Sequence, residues 1–418
     1  MPHWVKKSTV FYGCRMSLLL VLCLALIPAL ALTDNESVAK RRYLVNLITT
    51  KYSAQLGNPE VKKRKSMSQF GYNLYFTTFP LFPIRQFVKP HHLGQHSYGK
   101  HISGEKNGAL YTCKGGFMDI SHIRAAIDWT VFLTFKIIVE NGDFELPAQE
   151  GGRMQLHFTN LEKLSTNEIA SMAQKIAYER LLWHELASWQ YHMPNYTFNE
   201  QQSAFTPEDI YSNFLGTVIG RNVALRILQG DDSTAFTTIA SEEIDKMIDE
   251  LRPVQGIKQT EKAYDIVDRH QQMKLPEDKR NTDVWWDSKI VFKDERYVFK
   301  RYTDIGPVLQ PWLIPKAETV GCTASVGGKK LEVPQKTKSG ESFYDYYVFT
   351  IMPDSLLFYT KKGKQLHPPF GAFTSRQIDG VLAHIKTEME LQLLPGFDKR
   401  NNEDPVPSFK HVRKVIFK

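Results

Sequence analysis

Two histidines and two carboxylates fall at helical spacings within the most apolar stretches of this 418-residue chain. Asp119 and His122 are three residues apart and share a helix face. His184 continues the line of Ala177 and Leu181, and Glu185 lies beside Trp189, one turn on. Zinc, iron and manganese accept imidazole and carboxylate ligands delivered in this way from facing helices. Buried without partners, such groups are costly, so a metal, a substrate or one another must satisfy them. The chemistry to expect is a divalent centre, zinc first among the metals, with Asp119, His122 and His184 as ligands. Glu185 is then the catalytic general base that takes a proton from metal-bound water. The competing expectation is a hydrogen-bonded network that fixes helix register.

His184-Glu185 opens like a zinc-protease motif, but Ser188 stands four residues on where that motif needs histidine. His192, eight after His184, replaces it only on a helix regular to its end. A loop with His91, His92, His96 and His101 precedes the first of these helices. His96 is the one expected to turn inward as a further ligand, with Tyr98 as its anchor. A thiol nucleophile at Cys113 is the third chemical option, opposed by the lack of cationic neighbours other than Lys114. No glycine-rich phosphate loop and no Gly-x-Ser-x-Gly elbow occurs, which removes the usual support for nucleotide-dependent and serine-hydrolase chemistry.

Buried helices must carry the candidate residues. Asp119 to Val139 is apolar on nearly all sides and stops at Asn141-Gly142. Its Asp119, His122, Arg124, Asp128 and Lys136 are too many charges for a membrane span. A second helix starts at the capping box Ser165-Thr166-Asn167-Glu168 and runs to Tyr191. A third starts at Thr206 with Pro207 in the first helical position and Asp209 closing the cap. Its Gly216 and Gly220, one turn apart, invite close approach of another helix. Shorter helices are expected over Glu242–Leu251 and Gln259–Gln271. Strand character follows at Tyr297–Tyr302 and Tyr346–Ile351, then a turn at Lys361–Lys364 and a last helix from the Thr374 cap to Leu394. The fold class is therefore α+β, with central buried helices, a C-terminal antiparallel sheet and a final helix.

Residues 1–31 have the make-up of a cleaved secretory signal, with Lys6, Lys7 and Arg15 before an apolar run and Ala29-Leu30-Ala31 at its end. Met16 is an alternative start. The run is short for a stable transmembrane span. Cleavage removes three basic residues and lowers the formal charge from +8 to +5. That modest balance, with no recognised motif beside clusters such as Lys62-Lys63-Arg64-Lys65, excludes nucleic acid as the expected partner. Cys113 and Cys322 are the two cysteines left after cleavage, and export favours their pairing as a disulfide. Asn35-Glu36-Ser37 and Asn195-Tyr196-Thr197 are sequons. The body divides into an irregular wrap over 32–115, a helical core over 116–280 and a β-rich part over 281–418 that ends in a helix.

Residues 111–124, followed by Asp128-Trp129, resemble an exported bacterial family with no assigned function, domain of unknown function 4056. His184-Glu185-Leu186-Ala187-Ser188-Trp189 and residues 203–213 resemble its other signatures. The resemblance spans most of the mature chain and implies an envelope location, periplasmic or secreted, but no activity. The expected function is metal-dependent hydrolysis of a cell-envelope component. The alternative is a non-enzymatic envelope binding or scaffold protein whose buried His and Asp residues bond one another.

Overall fold

The computed structural model describes residues 38–59, 87–149, 152–190, 205–230, 234–272, 307–323, 327–353 and 372–383. The leader, both sequons, His192, the strand at 297–302, the turn at 361–364 and the continuation of the last helix to Leu394 lie outside them. A first unit, Met1–Ser53, contributes helix α1 at residues 38–51. The second unit, Ala54–Lys418, contains every residue of the candidate site.

That unit is built around a three-helix core. Strands β1 (Ala109–Thr112) and β2 (Gly116–Asp119) form an antiparallel hairpin that ends where helix α2 (Ile120–Glu140) begins. Asp119 is the hinge between them. Its backbone is extended, and its carboxylate accepts from the backbone N–H groups of Ser121 and His122, which an N-cap must satisfy. At the other end Asn141 takes the left-handed conformation at φ 52° and donates its N–H to Ile137 O. In between, α2 is buried on almost every side, as its all-round apolar sequence requires.

Helix α3 (Thr166–Gln190) starts at the expected capping box. Ser165 N–H and O–H both donate to Glu168 Oε2, and Glu168 N–H returns a bond to Ser165 Oγ. Helix α4 (Pro207–Leu228) starts after Thr206, with proline in the first position. It packs against α2 so closely that a methyl at Gly216 would lie 2.4 Å from Ile123 O, and one at Gly220 2.8 Å from Thr130 Cβ. Only glycine permits that approach. Helices α5 (Phe236–Glu250) and α6 (Ile257–Gln272) complete the helical part. Among the described residues no helix is long and apolar enough to cross a membrane.

The antiparallel sheet draws its strands from two parts of the chain. Strands β7 (Tyr347–Pro353) and β8 (Phe373–Thr374) come from the C-terminal region, but they join β3 (Phe144–Gln149) and β4 (Gly152–Phe158) from the middle of the chain. The order is β3-β4-β7-β8, antiparallel throughout, with Gly152 opposite Pro353 and Phe158 opposite Tyr347. Residues 116–280 are therefore not purely helical. Strand β4 alternates buried and exposed along its whole length, and Met154, Leu156 and Phe158 face the core. A short pair, β5 (Val308–Leu309) and β6 (Leu331–Glu332), follows α6.

The β1–β2 turn is tied to the C-terminal part. Cys113 and Cys322 form the expected disulfide, with Cα atoms 5.5 Å apart. Cys113 is thus no free nucleophile. Lys329 N–H donates to Lys114 O, and Gly116, at φ 74°, leaves room for the Trp312 carbonyl. After Thr374 a capping box starts a 3-10 turn that leads into helical residues 378–383.

Candidate metal centre

Two helix starts, those of α2 and α4, and the body of α3 converge on His122. It lies in the first turn of α2, and its Nδ1 faces two carboxylates: Asp119 Oδ2 at 3.3 Å and Asp209 Oδ1 at 3.4 Å. Each of these acids has its other oxygen held. Asp119 Oδ1 accepts from Ser121 N–H and O–H and from His122 N–H. Asp209 Oδ2 accepts from the Thr206 hydroxyl. The oxygens nearest His122 are thus aimed by the partners of the others. Ser212 Oγ accepts the Asp119 N–H and ties the first turn of α2 to α4.

On the other side of His122 stand His184 and Glu185 from α3. The two imidazole rings are 6.2 Å apart, centre to centre, so the expected convergence of the two histidines holds. Glu185 is anchored by the Phe205 N–H at 2.7 Å and by Asn213 Nδ2 at 3.3 Å. Phe205 donates that bond from a left-handed backbone at φ 57°, an unfavourable conformation for a bulky residue. Two ligand-type sets result, Asp119–His122–Asp209 and His122–His184–Glu185, each with its donor atoms within 4.8 Å of one another.

The electrostatics follow from crowding acids in a buried place. Asp119, Glu185, Glu208 and Asp209 are all buried, whereas the His122 side chain keeps 13% of its exposure and His184 is half-buried. Burial pulls His122 toward its neutral form. The carboxylates of Asp209, Asp119 and Glu185 outweigh that and raise it well above its ordinary 6.5. Asp209 is raised as well, first by burial and then by Glu208, Glu185 and Asp119, with His122 opposing. A divalent cation is the group that such a set of acceptors suits.

The spacings match that group. A charge-assisted N–H···O bond is about 2.7–2.9 Å long. Ligand atoms on a tetrahedral zinc with bonds of about 2.0–2.1 Å are about 3.3–3.4 Å apart. The two distances at His122 Nδ1 lie near that edge and also within hydrogen-bond reach, and Asp119 is hydrogen-bonded to His122.

His96 is not in either set, which corrects the fourth expected ligand. It does turn inward, fully buried, but its Nε2 donates to Asp128 Oδ1 at 2.9 Å. Asp128 follows His122 by six residues, which puts it about 9 Å along the helix and on a different face. Tyr98 is the expected anchor: its hydroxyl donates to the carbonyls of Gln55 and Gly57. His91 pairs with Asp249, and His101 lies beside Glu105.

Asp209 is the residue that sequence reasoning assigned only to capping. An acid in a first turn ordinarily faces water and the helix dipole. The usable signal was the Gly216–Gly220 spacing, which brings α4 against a second helix and its first-turn acids with it. Nothing in the spacing names α2 as that helix.

A family model described as a protein of unknown function, DUF4056, matches residues 58–315. No curated protein and no solved structure matches the chain.

Proposed function

The chain belongs to DUF4056, a family of unknown function that passes on no activity, and we propose from the site that it is a zinc-dependent hydrolase. The observation that carries the reading is the convergence of two sets of ligand-type atoms, Asp119–His122–Asp209 and His122–His184–Glu185, on one histidine. Asp119, His122 and Asp209 would hold the ion, with His184 and Glu185 beside it. Zinc held there lowers the pKa of a bound water and polarises the bond under attack. Glu185, fixed by Phe205 and Asn213, is the base for the water's proton, and half-buried His184 faces the entering substrate. The substrate is an ester, amide or phosphoester of a cell-envelope component, and the protein acts outside the cytoplasm after cleavage behind Ala31. The Cys113–Cys322 bridge supports that location, because such bridges persist in oxidising compartments.

Elemental analysis of protein purified without added metal tests the centre. Zinc is expected, and a chelator should lower the melting temperature. His122→Ala should lose the zinc and any hydrolysis found in a panel of model esters, peptides and phosphoesters. Metal-free protein with a His122→Ala variant altered only in stability would overturn the reading in favour of a structural network. Mass spectrometry of protein from its native envelope should find Leu32 as the first residue, and an intact Met1 or Met16 terminus would refute export with cleavage.

A further inference from the structure

We propose that this centre is dinuclear: a second divalent cation binds at His184 and Glu185, and His122 is common to both positions. The inference rests on the zinc reading of the first position and revises one assignment in it, since Glu185 becomes a ligand.

Three observations lead to it. The donor atoms fall into two sets of three that share only His122. Ligands of one ion with bonds of about 2.0–2.2 Å are at most about 4.4 Å apart. Five donors spread over two sets therefore suit two ions better than one. Second, the ring divides naturally between the sets. Nδ1 faces Asp119 and Asp209, which leaves Nε2, on the opposite side of the ring, for the other. Binding there would displace the Nε2 proton to solvent and leave the ring as an imidazolate shared by the two positions. Third, Glu185 is immobilised as ligands are. One oxygen accepts from the Phe205 N–H and the other from Asn213, the outer support that metal-bound carboxylates receive.

Charge points the same way. Asp119, Asp209, Glu185 and Glu208 are all buried, and the first three are the carboxylates of the two donor sets. The three carboxylates of the two sets and the shared imidazolate carry four negative charges, of which one divalent ion would offset two and two ions all four. Two ions held there would acidify a bound water between them, a role that would free Glu185 from acting as base.

The test is stoichiometry. Full-length protein, stripped with a chelator, is titrated with zinc and the bound metal counted after desalting, with circular dichroism and an intact disulfide as checks of folding. Two equivalents per chain are expected. His184→Ala and Glu185→Gln should each retain one, Asp209→Asn should retain one, and His122→Ala should retain none. A wild-type count of one, lost in Asp209→Asn and kept in His184→Ala and Glu185→Gln, overturns the second position and leaves the first standing. A count of zero overturns both. Should His122→Ala fail to fold, the other three variants decide the matter.

Discussion

Helix α2 buries two His–Asp arrangements six residues apart, and the rules that govern them differ. On one face Asp128 takes the His96 ring N–H at 2.9 Å on one oxygen and the Gly99 N–H at 2.9 Å on the other. Next to it Arg124 donates to the carbonyls of Leu93 and Gly94, and its Nε lies 3.8 Å from Glu105. Each acid there faces a donor, and the hydrogen bonds to Asp128 have ordinary lengths. On the other face one histidine meets Asp119, Asp209 and Glu185, and the spacings to the two aspartates are 3.3 and 3.4 Å. The same residue types on one helix thus make a closed network in one place and, in the other, a group of donors that could hold a cation. What separates them is the balance of donors to acceptors and about half an ångström of spacing, not burial.

If the paired face is structural, breaking it should cost the most. Asp128→Ala strands two buried donors, His96 Nε2–H and Gly99 N–H, and should destabilise by about 3–5 kcal/mol in urea unfolding. Zinc content per folded chain should not change. A variant that unfolds normally but loses zinc would move the functional centre to this face.

The next largest effect belongs to the helix contact that unites the site. Gly220→Ala puts a methyl 2.8 Å from Thr130 Cβ and 2.9 Å from Ile127 O, and such overpacking costs about 1–3 kcal/mol. Because α2 carries His122 and α4 carries Asp209, the shift should weaken zinc binding as well. Isothermal titration separates the two effects, and unchanged zinc affinity at reduced stability would show that the site tolerates movement between these helices.

Much of this arrangement was legible in the residues. Capping boxes and prolines fixed the starts of α3 and α4, and the all-round apolar pattern marked α2 as buried. Spacing alone brought His122 and His184 together. Asp209 was missed because a first-turn acid has a local explanation that needs no tertiary partner. His96 was put at the wrong centre because a loop carries no periodicity to say which face of α2 it reaches. The β4 strand was legible in its alternation from Gly152 to Phe158, but lay between two strong helix signals and was absorbed into the helical core.

Titration separates the two faces more gently. In metal-free protein His122 has a raised pKa, so its imidazolium adds stability that is complete below about pH 6.5 and fades as pH rises through the folded value. Asp209, also raised, is favoured in its protonated form by the fold and loses stability in the same direction, above its ordinary 3.8. Metal-free protein should therefore weaken as pH is raised from about 6 to 9. Zinc needs these groups deprotonated, so the loaded protein should gain relative to it over that range. His122→Ala should flatten the metal-free slope and Asp128→Ala should keep it. An unchanged slope in His122→Ala would detach the titration from this centre.

The smallest expected effect is the most discriminating. Removing one partner of a buried ion pair usually costs several kcal/mol, because the remaining charge is left without compensation. Asp209→Asn should behave otherwise in metal-free protein. The asparagine Oδ1 can still accept the Thr206 hydroxyl, and His122 keeps Asp119 at 3.3 Å. The charge that disappears is one pressed upon by Glu208, Glu185 and Asp119. Lost attraction to His122 and relieved repulsion among the acids act in opposite directions, so the change in unfolding free energy should stay within about 1 kcal/mol. Zinc binding at the first position should nonetheless be lost, because an amide oxygen replaces a charged ligand. Urea unfolding without zinc reads the first number, and the zinc count after desalting reads the second. A metal-free loss as large as that of Asp128→Ala would mean that Asp209 is a structural partner of His122, and the two faces of α2 would then be networks of the same kind.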